Sequence, residues 1–101
     1  MFRLKRRALV FLRENSEDFE GHAFRKCPSN LEGADLEGAN LKYADLSGAN
    51  LEDTNLEGAD LEGANLEDAN LERADLKGAY TRSANIENTH TLDANLTNTQ
   101  L

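Results

Sequence analysis

From residue 31 to residue 101 the chain repeats with a period of five. The centres run Leu31, Leu36, Leu41 and onward to Leu101, fifteen units without a gap; only Thr81 and Thr91 depart from Leu or Ile. Two residues before each centre stands Ala in eleven units; Ser29, Thr54, Thr89 and Thr99 fill the rest. A helix cannot use this spacing. At about 100° per residue, successive leucines would land roughly 140° apart and form no apolar face. Six glycines at matching places, such as Gly58 and Gly63, would each cost a helix about 1 kcal/mol. A flat strand fails as well: its side chains alternate with period two, and five is odd. The pattern predicts a short extended side ending in a turn, with the centre and the small residue two before it pointing inward. Gly, Asn and Asp suit the turn. Four such sides close a square coil of about twenty residues, and coils stack at the strand spacing of about 4.8 Å.

The units read as A-(D/N)-L-x-x, written in the chain as ADLEG, ANLKY, ADLSG and ANLED. This pattern resembles the pentapeptide-repeat family, and fifteen copies in phase make the resemblance specific. It implies an all-β fold, a right-handed quadrilateral parallel β-helix over residues 29–101, about 3.75 coils long. It implies no reaction.

The flanks differ from the array. Residues 1–28 carry seven Lys/Arg and four Asp/Glu, for +3; residues 29–101 carry four and fifteen, for −11. Pro28, the only proline, marks the boundary. Leu4, Ala8, Phe11 and Leu12 follow the i, i+4, i+7, i+8 spacing of an amphipathic helix, expected over about residues 3–14. A β-helix leaves its ends open, so this helix is expected to cap one of them. Phe19 and Phe24 then form a degenerate opening turn, with Cys27 and Pro28 absorbing a two-residue shift in phase. The rival is a membrane-surface segment led by Phe2, Arg3, Lys5, Arg6 and Arg7. At the other end Thr81 and Thr91 place hydroxyls at interior positions. The last coil is therefore expected to be the least stable, and its uncapped end offers a surface on which a second copy can stack.

Charge sharpens the picture. At twenty residues per coil, residues 51–70 contain Glu52, Asp53, Glu57, Asp60, Glu62, Glu67 and Asp68 and no base, an acidic belt. Residues 71–90 are neutral, through Arg73, Lys77 and Arg82. Tyr43 and Tyr80 fall on one side two coils apart, with Lys42 and Arg82 nearby. Exposed Tyr and Arg anchor many interfaces, although a Tyr packed over a glycine corner explains them equally well. The belt, Tyr43, Tyr80 and Arg82 form the candidate interaction surface, and the expected partner is another protein with a basic surface. A net charge of −8 disfavours nucleic acid. An alternative follows from the resemblance: family members that protect DNA gyrase look like DNA in size and charge. Here −11 over about 18 Å compares with roughly ten or eleven charges on duplex DNA, which implies a topoisomerase as the partner.

Catalysis finds no footing. The Asp positions are interchangeable with Asn, whereas acid/base pairs need particular carboxylates in a cleft. His22 and His90 lack ligand spacing. Cys27 is alone, which excludes an intrachain disulfide or a cysteine metal cluster. No cofactor, metal site or catalytic residue is expected. The apolar run Ala8–Leu12 is too short for a signal peptide or a span, so a membrane partner is disfavoured and a cytoplasmic location is expected.

Overall fold

The computed structural model describes residues 30–99. The expected N-terminal capping helix and the opening turn lie outside them. Ten parallel bridges each join residues twenty apart and arrange the chain in four walls. The first wall stacks Asn30, Asn50, Asn70 and His90; the second Asp35, Asn55, Asp75 and Asn95. The third stacks Asn40, Asp60 and Tyr80, and the fourth Asp45, Asn65 and Asn85. The coil of twenty residues is thus present, but each side is extended over a single bridging residue, followed by a tight turn.

In the inner units every backbone N–H has its own acceptor, which explains the repeat better than side-chain burial alone. In residues 56–60, Leu56 N donates to Asp75 O at 2.7 Å and Gly58 N to Lys77 O at 2.9 Å, in the following coil. Asp60 N donates to Ala39 O at 2.9 Å in the preceding coil, and Ala59 N closes the turn on Leu56 O at 3.0 Å. The remaining donor, Glu57 N, bonds the side-chain Oδ1 of Asn55 at 3.0 Å. The same bond recurs from Glu62 to Asp60 and from Lys77 to Asp75. The Asp or Asn of the repeat therefore sits before the turn and serves it with one oxygen. Both residue types carry that oxygen, so they interchange. The turn residue proper is two after the centre, where φ is positive: Gly33, Gly38, Gly48, Gly58, Gly63 and Gly78, but also Tyr43, Asp53, Asp68 and Arg73.

The interior is a stack of leucines and alanines. Leu36, Leu41, Leu46, Leu51, Leu56, Leu61 and Leu66 are fully buried, and Ala39, Ala59 and Ala69 with them. Each buried Leu contributes about 1.5–3 kcal/mol. Thr54 takes an alanine place and is buried because its Oγ1 donates to Leu31 O at 2.9 Å. Thr81 is buried too, while Ile86 and Leu96 are 42% and 40% exposed, because no described coil lies beyond them.

Candidate functional site

Side chains flanking each centre point outward, so each wall carries two columns, and each turn adds a corner. The structure divides the acidic belt among these places. At the corner after the first wall, Arg73 reaches back one coil. Its Nη2 lies 2.7 Å from Glu52 Oε1 and its Nε 3.0 Å from Asp53 Oδ1, with Glu72 at 3.8 Å. The hydrogen bond to Asp53, then the charges of Asp53 and Glu52, raise the Arg73 pKa above its ordinary value. The carboxylates of Glu32, Glu52 and Asp53 approach within 4.8 Å of one another, but Arg73 already occupies two of the three.

On the third wall Lys42 stands 3.8 Å from both Asp60 and Glu62. Arg82, the next cation along that column, makes no ion pair among the described residues. Lys42, Asp60, Glu62, Tyr80 and Arg82 line one open cleft of about 310 Å³. The sequence-predicted residues Asp60, Glu62, Tyr80 and Arg82 are thus brought together. Tyr43 is not among them. Its ring lies over Gly63 of the next coil, where an added Cβ would meet Tyr43 Cδ1 and Cε1 at 2.5 Å. The glycine-corner alternative holds for Tyr43, although 44% of the residue stays exposed; Tyr80 is 51% exposed.

Glu57, Glu67 and Asp68 carry no ion pair among the described residues. Glu67 accepts a hydrogen bond from Asn85 Nδ2 at 3.2 Å, while Glu57 and Lys77 share a column without pairing. The uncompensated part of the belt therefore lies on the second and fourth walls and the corner after the fourth. Two features escape the sequence reading. Lys42 and Arg73 pair with four of the belt's acids, Asp60 with Glu62 and Glu52 with Asp53 respectively, for which the twenty-residue spacing of Arg73 from Asp53 was the available signal. Leu92, 66% exposed, stands in the outward column that holds Glu32, Glu52 and Glu72.

Breaks in the repeat also release backbone donors. Tyr80 and His90 occupy Asp/Asn places without an Oδ1, so the N–H groups of Arg82 and Leu92 find no acceptor among the described residues. No helix among these residues is long and apolar enough to cross a membrane.

These observations define a class: a solenoid of five-residue units with a hydrocarbon interior and a surface of charged columns. The chain belongs to the pentapeptide-repeat family, whose model, Pentapeptide repeats, matches residues 29–58 and 54–90. Among solved structures it is similar to HetL of the cyanobacterium Nostoc sp. strain PCC 7120, a pentapeptide repeat protein involved in heterocyst differentiation regulation. The identity is 32% and the TM-score 0.75, over 89% of this chain and 42% of HetL. The chain therefore spans less than half the length of that relative. It is similar also to alr5209 of Nostoc PCC 7120, at 30% identity and TM-score 0.73, over 92% of this chain and 72% of that one. A thylakoid-lumen protein of Arabidopsis thaliana, AT2G44920, is 34% identical with TM-score 0.54, over 81% and 59% of the two chains. Such proteins form right-handed β-helices, the fold expected from the repeat. No curated protein sequence matches significantly.

Proposed function

We propose that the chain is a non-enzymatic protein-interaction module whose partner presents a basic surface. The observation that carries this reading is the clustering of repeat-breaking residues on the last described coil. Tyr80, Arg82, His90 and Leu92 stand exposed at places where the repeat most often puts Asn, Asp or Glu. Tyr and Arg are contact residue types, and the uncompensated acids Glu57, Glu67 and Asp68 precede these residues in the stack. The acids steer a basic partner, which acts mainly on the rate of association; the exposed aromatic and apolar groups supply contact area. HetL, a similar chain with a regulatory role, is consistent with a scaffold that acts by binding. A DNA-like role has less support, because Lys42 and Arg73 interrupt the columns that would imitate phosphates.

The test is affinity capture from the native cell extract with the full chain and a variant carrying Glu57→Gln, Glu67→Gln and Asp68→Asn. A basic protein retained by the parent chain and lost from the variant, or lost at high salt, is the expected result. Capture that is indifferent to these substitutions and to salt would overturn the basic-partner reading.

A further inference from the structure

We infer that the third-wall cleft seats the indole ring of an exposed tryptophan on the protein partner. The inference rests on the interaction-module reading and names the anchor that the cleft selects. Tyr80 and Arg82 flank the inward residue Thr81, so their Cα atoms stand about 6.5–7 Å apart along the wall. That separation is two ring thicknesses, the spacing at which a planar group fits between two flat faces. A ring seated there would have the phenol of Tyr80 on one side and the guanidinium of Arg82 on the other, a group that stacks on aromatic rings as well as attracting them electrostatically. Neither face is engaged elsewhere: Arg82 makes no ion pair, and Tyr80 no side-chain hydrogen bond, among the described residues.

The charges around the cleft select a neutral ring with one donor. Lys42 and Arg82 balance Asp60 and Glu62, so the lining is neutral as a whole. An incoming anion meets the two carboxylates, and an incoming cation meets Arg82 and Lys42. An aromatic ring meets neither penalty. Lys42 lies 3.8 Å from each carboxylate, too far for a hydrogen bond. Asp60 and Glu62, one coil away at about 4.8 Å, thus keep the capacity to accept an indole N–H. The backbone N–H of Arg82, without an acceptor among the described residues because Tyr80 has no Oδ1, can donate to the main-chain carbonyl of the incoming residue. Among protein side chains, the indole is the ring with the strongest cation–π attraction, and it carries one N–H donor and no acceptor.

The chain contains no tryptophan, so indole fluorescence in a titration reports the ligand alone. N-acetyltryptophanamide added to the full chain should show a saturable change in emission, with Kd on the order of 1 mM. Tyr80→Ser should weaken binding about tenfold and Arg82→Ser about threefold. Glu37→Gln, exposed on the second wall and outside the cleft lining, should leave the curve unchanged. Far-UV circular dichroism establishes that each variant is folded, and two independent lining variants keep the test decisive if one is not. No saturation, an unchanged curve in both lining variants, or equal competition by adenosine would overturn the inference. The titration requires no partner, so its failure counts against the cleft alone. Failure of the capture experiment counts against the module reading.

Discussion

Gly63 and Gly58 provide a matched pair for testing whether Tyr43 packs on the next coil. Both are turn residues with nearly equal angles, φ +68° and +67°. An alanine in the left-handed region costs about 1 kcal/mol, and this repeat carries non-glycine residues there, such as Asp53 and Arg73 at φ 60° and 56°. At Gly58 an added Cβ meets nothing within 4 Å, so Gly58→Ala should cost about 1 kcal/mol and no more. At Gly63 the Cβ would lie 2.5 Å from the Tyr43 ring, and the ring must move. Tyr43 is 44% exposed, so it hides on the order of 100 Å² of its surface, part of it against Gly63. At about 25 cal/mol per Å², the upper bound on the loss is about 2.5 kcal/mol. Partial re-docking of the ring reduces this to about 1–2 kcal/mol. Gly63→Ala should therefore cost about 2–3 kcal/mol, and only about 1 kcal/mol in a Tyr43→Ser background. Urea denaturation followed by far-UV circular dichroism on the four members of the cycle measures the coupling. Equal costs at the two glycines, or an excess at Gly63 that survives Tyr43→Ser, would refute the contact.

Three further expectations follow from the same packing. Leu61→Ala empties a fully buried place and should cost about 2–5 kcal/mol, whereas Ile86→Ala, at a position 42% exposed, should cost less than about 1.5 kcal/mol; equal values in chemical denaturation would show that the last coil is covered in solution. Arg73→Gln should lower the melting temperature at low salt, with a gap that closes as salt approaches about 1 M, since Glu52 and Asp53 are then screened from each other without it. Amide hydrogen exchange should be slowest at Leu56, Leu61 and Leu66, whose N–H groups bond the following coil, and fastest at Ile86, Asn88 and Leu96, which find no acceptor among the described residues; the reverse order would contradict the stacking.

The period of five determined most of the architecture by itself. It placed Leu56 and Ala59 inside, Glu57 and Asp60 outside, and every residue twenty apart in one column, because an interior of this cross-section admits one large and one small apolar residue per side. The interchange of Asp with Asn was legible as a pattern but not as a cause. The cause is the single Oδ1 that each offers to the N–H two residues on, and only the hydrogen bonds reveal it. The candidate site was half legible. Column neighbours such as Lys42, Glu62 and Arg82 follow from counting, but not which of them pair. Neighbouring coils lie at one repeated spacing, so a long side chain meets several carboxylates at similar distances, and its rotamer decides among them. Tertiary structure turned Lys42 toward Asp60 and Glu62, gave Arg73 to Glu52 and Asp53, and left Arg82 without an ion pair among the described residues, in the same cleft as Tyr80. It likewise laid Tyr43 on Gly63, where a missing Cβ twenty residues away makes room for a ring. The sequence determines which side chains share a wall; the competition of flexible charges across coils, settled only in the folded ladder, determines which of them remain available to a partner.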